Sequence, residues 1–170
     1  LMKMGSNAEP SLKAFFEDKK AEPQHRARAL WLLATMGKKQ YNVSPASGVL
    51  VEANSHTAFG SLHDSVLEDT NENIRITAIR AARQVYRDQP EKLREVIAKV
   101  VNDKSSAVRR EAAIALRFGT TREDANLLGA LVDNYAAPDR WFTEALGIAD
   151  DRIAAEPIIL KDLSEEGWRA

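Results

Sequence analysis

The feature that most constrains the fold is an internal repeat built on a spaced pair of polar residues. An Asp or Asn precedes an Arg by six residues at three places along the chain, and an earlier, looser copy has two extra residues. Successive Arg positions in these copies differ by 49, 34 and 31 residues. The last two intervals are close to the length of repeats that consist of two helices. A chain with this period is expected to fold by stacking similar units on their neighbours.

Small or apolar residues also recur at fixed distances after each repeated Arg. Three and six residues after it stand Ala29 and Leu32, Ala78 and Ala81, Ala112 and Ala115, and Thr143 and Leu146. This spacing places them on one face of a helix, where small side chains let a neighbouring helix approach closely. With only 8 Gly, 6 Pro and 6% aromatic residues, the composition also argues against a turn-rich β protein.

Each repeat is therefore predicted to hold two helices. The first helices are predicted at 11–18, 57–69, 91–102 and 122–134, and the second helices at 24–36, 73–87, 106–118 and 138–148. The predicted fold is all-α, a right-handed α-α superhelix that forms one domain over residues 1–170. Its repeats cover about 11–37, 57–88, 91–119 and 122–149, with part of a fifth at 152–170.

One segment, residues 38–56, does not fit the repeat and is interpreted as an insertion. It carries turn formers around the apolar run Val49-Leu50-Val51. A structureless loop of this length is uncommon in a compact domain. Two hypotheses stay open: the segment holds a short helix of its own, or it is a mobile functional loop.

The repeated pattern resembles that of HEAT repeats. The clearest copies are residues 108–116, Val-Arg-Arg-Glu-Ala-Ala-Ile-Ala-Leu, and residues 74–82, Ile-Arg-Ile-Thr-Ala-Ile-Arg-Ala-Ala. The resemblance covers about residues 11–150 and is closest to the bacterial phycobilisome-lyase-like subgroup. It implies a helix-pair solenoid of four to five units, in which the second helices line the concave face.

A narrower resemblance involves residues 139–148, Asp-Arg-Trp-Phe-Thr-Glu-Ala-Leu-Gly-Ile. They are similar to a motif near the HEAT segments of large bacterial proteins that combine a sugar-dehydrogenase-like propeller, helical repeats and a c-type haem domain. This resemblance implies that the chain is the helical spacer of such a protein, in the periplasm; without it, a cytoplasmic location is expected.

Composition excludes several classes of function. Cysteine is absent, which removes disulfides, thiolate metal sites, thiol nucleophiles and the Cys-x-x-Cys-His attachment of haem. Lys plus Arg total 24 and Asp plus Glu total 25, for a net charge of −1, which argues against a surface built as a whole for nucleic acid or membranes. No uninterrupted run of eighteen apolar residues occurs, so no membrane span is expected. No cofactor is predicted.

The repeated polar pairs have two possible roles. In the structural one, which repetition favours, each Asp caps a second helix or bonds the equivalent Arg of the next repeat. In the functional one, the Arg side chains form a row for an anionic partner. The residues concerned are Asp69, Arg75, Asp103, Arg109, Asn134 and Arg140.

The second helices supply the candidate residues for binding a partner. Arginines stand between their apolar positions, although Glu111 and Glu144 are interspersed, and exposed aromatic residues are common anchors at interfaces. Trp31 is expected to be partly buried, whereas the Trp-Phe pair at 141–142 is the better anchor. The predicted contact residues are Arg80, Arg83, Arg110, Arg117, Trp141 and Phe142.

Nothing in the sequence assembles a catalytic or metal site. His56 and His63 are seven residues apart and would lie about 10 Å from each other on a helix, too far to share a metal ion. The predicted function is a non-catalytic scaffold that contacts another protein or other domains of the same parent chain. Two alternatives stay open: a nucleic-acid-binding HEAT protein of the alkylated-base glycosylase type and a bilin lyase-like subunit. The glycosylase alternative would use Trp31, Asp69 and Arg75 or Arg80.

Overall fold

In the computed structural model of the chain, the described residues are 8–36, 41–43, 50–52, 63–134 and 139–153. For residues 41–43, 50–52, 63 and 151–153 the description covers the backbone alone. The elements are α1 (Glu9–Glu17), α2 (Pro23–Met36), β1 (Tyr41–Val43), β2 (Leu50–Glu52), α3 (His63–Leu67), α4 (Glu72–Val85), α5 (Pro90–Val100), α6 (Ser106–Ala115), α7 (Arg122–Asp133) and α8 (Arg140–Ile153).

The chain divides into two compact units, a first unit of Leu1–Asp88 and a second unit of Gln89–Ala170. In the first unit, α2 packs against α1 and α4, and α3 packs against α4. In the second unit, α6 packs against α5 and α8, and α7 contacts α5, α6 and α8. The second helices of consecutive repeats therefore pair within each unit, α2 with α4 and α6 with α8. The prediction of an all-α helical-repeat fold is confirmed.

The repeated alanines lie where these second helices pack. Ala29 is 3% exposed, and Ala78 and Ala112 are fully buried. Small side chains at these positions let the helix axes come close, which brings the larger apolar residues of both helices into contact. The largest buried side chains of the first unit are Leu30, Leu33, Val66, Ile74 and Ile79, and those of the second are Val96, Ile97, Val100, Leu128, Leu131 and Phe142.

Local sequence signals explain where several helices begin. Pro90 is the first residue of α5, where its missing N–H costs no intrahelical bond. Asn71 caps α4 by accepting a hydrogen bond from the Asn73 amide. Thr121 and Asp124 form a reciprocal capping box at the start of α7.

Three helices have a boundary that differs from the predicted one by more than two residues. The helix predicted at 57–69 is observed as α3 over His63–Leu67, and residues 57–62 lie outside the described residues. The helix α6 ends at Ala115 and not at residue 118. The helix α8 continues to Ile153, so it extends into the segment predicted as a fifth repeat, and residues 154–170 lie outside the described residues.

The insertion at 38–56 holds a pair of short antiparallel strands. Tyr41 pairs with Glu52, Asn42 with Val51 and Val43 with Leu50. Residues 41–43 and 50–52 therefore do not form the short helix of the first hypothesis. The second hypothesis, a mobile functional loop, stays a prediction, and the other residues of the segment lie outside the described residues. The turn formers of residues 45–48 stand between apolar, β-branched residues, which is a pattern typical of a β-hairpin.

Candidate functional site

The carboxylate of Asp69 is a buried polar group of the first unit that accepts three hydrogen bonds. Arg26 Nη2 and Lys19 Nζ both donate to its Oδ2, at 2.6 Å and 2.7 Å, and the Asn71 amide donates to its Oδ1 at 2.9 Å. The side chains of Asp69 and Arg26 are only 1% and 5% exposed, whereas that of Lys19 is 65% exposed. This buried pair joins the first helix pair to the second, because Arg26 lies on α2 and Asp69 precedes α4.

The charges around Asp69 set its protonation. Burial raises the pKa of this carboxyl, but the opposing effects are larger in sum. Hydrogen bonds from Arg26, Lys19 and the Asn71 amide, together with the charge of Arg26, lower the pKa to about 2. Asp69 is therefore ionised at any physiological pH. Because the carboxylate is buried and already bonded to two cations, its role in this fold is to connect two repeats.

The repeated Arg residues also bond inside their own repeats. Arg75 Nη1 donates to the main-chain oxygen of Asp69 at 2.7 Å, and Arg109 Nη1 donates to that of Asp103 in the same way. The Asp103 carboxylate accepts from the Ser105 amide at 2.8 Å, the counterpart of the Asp69–Asn71 contact. These two copies therefore share one local geometry at the start of the second helix.

The observed contacts differ in direction from the predicted ones. The structural prediction offers two contacts for each Asp, a cap on the second helix or a bond to the Arg of the next repeat, but Asp69 bonds Arg26, which belongs to the preceding repeat. Asp69 also does not cap α4 itself, because Asn71 is the capping residue. Asp69 instead accepts the amide hydrogen of that capping residue.

The fourth copy departs from this geometry. Asn134 donates to Asn102 Oδ1 at 2.6 Å and to the Ala130 carbonyl at 2.8 Å. Arg140 donates from Nε to Glu144 one turn along α8, at 2.9 Å, and its side chain is 83% exposed. The start of α8 is stabilised by Asp139, which accepts from two amides of the first turn. Among the described residues, Asn134 and Arg140 therefore keep the repeat spacing but make other contacts than the second and third copies.

A shallow groove in the second unit combines exposed apolar surface with charge. The α6–α8 groove, as we call it, has a volume of about 370 Å³ and is lined by Arg110, Ile114, Trp141, Glu144, Ala145 and Ile148. Trp141 is 63% exposed and Ile148 is 47% exposed. The volume is near the lower end of the range for ligand pockets, about 300–1,000 Å³. The groove therefore offers room for a few side chains of a partner.

The charges along the α6–α8 groove are unequally compensated. Glu144 accepts a hydrogen bond from Arg140, so its negative charge is already paired. Glu111, the other acidic residue of this region, is only 6% exposed. Arg110 is half-buried, and no hydrogen bond or ion pair links it to the rest of the described chain. The lining therefore presents one uncompensated guanidinium beside an exposed indole.

The structure brings together only two of the predicted contact residues of the second unit. Arg110 and Trp141 both line the α6–α8 groove, but Arg117 stacks over the ring of Phe118, 4.4 Å from its centroid, and does not line it. The expectation for Phe142 is corrected: its side chain is 1% exposed and belongs to the core, where Arg109 lies over its ring at 5.6 Å.

The predicted contact residues of the first unit lie on α4. Arg80 is exposed and Arg83 is half-buried, and both have interactions with other residues of the chain. Trp31 on α2, which is expected from the sequence to be partly buried, is 41% exposed and belongs with the exposed large apolar residues of the described chain.

The glycosylase alternative requires its residues to lie on a surface that a nucleic acid can reach, and two of them do not. Asp69 and Arg75 are both 4% exposed and bonded within the fold, so neither faces an open surface. Among the histidines, His25 is exposed, the side chain of His63 is outside the description, and His56 lies outside the described residues. No group of three or more potential metal-ligating side chains is found among the described residues.

Sequence reasoning missed Ile114 and Ile148 as lining residues. Both belong to the apolar pattern of their helices, which by itself predicts burial; the fact that Ile148 is nearly half exposed comes only from the packing. Lys19 was also missed, although it follows the first Asp of the repeat directly. Its pairing with Asp69 spans 50 positions of the chain, and no local pattern signals such a contact.

The comparison with known families agrees with this architecture. The pattern of HEAT repeats matches residues 61–147, just over half of the chain. The chain therefore belongs to the HEAT-repeat family. No curated protein and no solved structure matches it. Within the described residues, no helix is both long enough and apolar enough to span a membrane.

Proposed function

We propose that the chain is a non-catalytic interaction scaffold whose contact surface in the second unit is the α6–α8 groove. The observation that carries this proposal is the exposure of Trp141, at 63%, beside Ile148, at 47%, in a concave surface formed by two packed second helices. A large exposed aromatic residue in an apolar depression is a feature of protein interfaces, where Trp is enriched among the residues that contribute most to affinity.

The helix packing supports a rigid contact surface. Phe142 and Ala145 anchor α8 in the core at 1% and 2% exposure, directly beside the exposed Trp141 and Glu144. The side chains that line the groove are therefore held by buried neighbours on the same helix. Such pre-organisation reduces the entropy that a partner must lose on binding.

The partner in this proposal is another protein or another domain of a longer parent chain. Residues 139–148, which resemble a motif of large bacterial dehydrogenase–haem proteins, supply Trp141, Glu144, Ala145 and Ile148 of the groove. A contact with another domain of such a parent would explain why this run of residues resembles that motif.

The proposal is tested by selecting ligands for the whole chain from a phage-displayed peptide library. Enriched peptides are measured by fluorescence anisotropy against the parent chain and against Trp141→Ala. We expect the variant to bind at least about tenfold more weakly, because removal of an interface Trp commonly costs more than 1.4 kcal/mol.

Phe118→Ala is the matched control for this experiment. Phe118 is also an exposed aromatic residue of the second unit, at 60%, but it does not line the groove. Peptide affinity should therefore stay within twofold of that of the parent. A library that yields no enriched peptide, or peptides that bind Trp141→Ala as well as the parent, would refute the proposed function.

A further inference from the structure

We infer that the α6–α8 groove recognises a peptide segment of a partner that carries an acidic side chain next to apolar ones. This inference rests on the proposed function and specifies the chemistry of the partner. Its basis is the position of an uncompensated cation, Arg110, in a lining that is otherwise apolar or internally paired.

The apolar part of the partner follows from the lining. Ile114, Trp141, Ala145 and Ile148 make up most of the groove, and two of them expose about half of their surface or more. Transfer of this surface out of water favours apolar side chains of the partner. A wholly polar or highly charged segment would leave this contribution unused.

The acidic part follows from the balance of charge. The two ionisable residues that line the groove are Arg110 and Glu144. Glu144 is held by Arg140 at 2.9 Å, so a cation from a partner would compete with an ion pair that already exists. Arg110 has no such bond within the described part of the chain. An Asp or Glu of the partner can therefore pair with Arg110 without breaking an existing contact, and a guanidinium can bond a carboxylate through two parallel N–H groups.

A nucleic acid is the less suitable partner for the same surface. An indole beside a guanidinium can stack on a base, but single strands are held by grooves whose several cations follow the phosphate chain. Among the described lining residues, Arg110 is the one cation, and Glu144 contributes a negative charge. The lining therefore favours one carboxylate on an apolar peptide over a row of phosphates.

The test uses a set of synthetic, end-blocked peptides that differ at one position. Each peptide carries two leucines at a chosen spacing. One position next to the leucines is varied at a time, and it holds Glu, Gln or Lys. Affinities for the full chain are measured by fluorescence anisotropy at low and at moderate ionic strength. We expect the best Glu peptide to bind about tenfold more tightly than its Gln counterpart, and the Lys counterpart to bind most weakly. The preference for Glu should decrease as salt screens the charges.

Two variants assign the preference to one residue. In Arg110→Gln, the Glu and Gln peptides should bind equally, whereas Arg110→Lys should keep part of the preference because it keeps the charge. Arg117→Gln is the matched control, since Arg117 is an exposed Arg of the same unit that stacks on Phe118 outside the groove. It should keep the full preference. Thermal unfolding followed by circular dichroism checks that each variant is folded.

The outcomes separate this inference from the proposed function. If peptides bind in a manner that depends on Trp141 but Glu, Gln and Lys versions bind equally, the scaffold function stands and the acidic preference is refuted. A Glu preference that survives Arg110→Gln also refutes the inference. If an oligothymidylate binds more tightly than every peptide, with an affinity that falls on Arg110→Gln, the groove is a nucleic-acid site. If no peptide binds, both the inference and the function on which it rests are wrong.

Discussion

Replacement of Asp69 by Asn tests the link between the first two helix pairs. The substitution keeps the size of the side chain and an oxygen that can accept from the Asn71 amide. It removes the negative charge that Arg26 and Lys19 share. Arg26 is then left with a charge in a side chain that is 5% exposed.

The expected loss of stability is about 3 kcal/mol, because removal of one partner of a buried ion pair leaves an uncompensated charge. The pKa of Asp69 gives a second figure, for the part of the unfolding free energy that depends on ionisation of this carboxyl. The carboxyl has a pKa of 3.8 in its ordinary state and about 2 in the fold, and this lowering corresponds to about 2 kcal/mol at neutral pH. Lys19 contributes less than about 1 kcal/mol of the total, since its side chain is largely exposed.

The pH dependence has a definite sign. Because the pKa of Asp69 is lower in the folded chain than in the unfolded chain, its stabilisation is complete above about pH 4 and is lost as the pH falls through about 2. About half of it remains at pH 3, so the stability difference between parent and variant should narrow by about 1 kcal/mol between pH 7 and pH 3.

Urea denaturation followed by far-ultraviolet circular dichroism measures both quantities. Amide hydrogen exchange at pH 7 should show the loss of protection in α2 and α4. Asp18→Asn is the control, because Asp18 is exposed and its carboxylate accepts one amide bond, from Lys20, that Asn can also accept. A variant within 1 kcal/mol of the parent at pH 7, or a difference that is the same at pH 3, would refute the reasoning.

Three further predictions concern the second unit, and each is tested by the change in free energy of unfolding in urea. Phe142→Ala should cost about 3–5 kcal/mol because it empties a core position, whereas Trp141→Ala, at an exposed position, should cost less than about 0.5 kcal/mol; similar losses would contradict the assigned burial. Gly119→Ala should cost about 1–3 kcal/mol, since the new Cβ would stand 2.6 Å from the Cβ of Asp124, and an unchanged midpoint would show that this contact relaxes freely. Thr121→Ala should cost about 1 kcal/mol by removing the capping box of α7, and Thr121→Ser should restore most of it; equal effects of the two would argue against a capping role.

The groove shows the limit of sequence reasoning at one site. The position of Trp141 directly after a repeated Arg identifies it as a candidate anchor, and its exposure agrees with that role. The neighbouring Phe142 was placed in the same role, but it is buried. Adjacent helix residues point about 100° apart, so one faces the core while the other faces solvent. The sequence pattern does not say which of the two residues faces the core, because both are aromatic. The packing of α8 on α6 decides which side of α8 is buried.

The repeated polar pairs show a similar division. Their spacing predicts a structural role, and in the second and third copies the Arg bonds the main chain of its own repeat. The Arg partner of the Asp69 carboxylate lies 43 positions away in the preceding repeat, and neither of the two contacts predicted from the sequence, a helix cap or the Arg of the next repeat, is this one. In the fourth copy, Arg140 donates to Glu144 one turn along α8, so the same spacing gives another contact.

The sequence by itself determines that the chain is built from helix pairs and belongs among repeat proteins. Spacings of three and four residues define the apolar faces of the helices, whereas prolines, glycines and capping residues define the helix ends. Both signals are local in the sequence. Only the tertiary structure decides that Asp69 connects to the repeat before it, that residues 41–43 pair with residues 50–52, and that Arg110 lines the same groove as Trp141 without an ion pair to any described residue. These contacts depend on which residues distant in the chain meet when the helices pack. That choice is made by the summed packing of many side chains, so no short pattern encodes it.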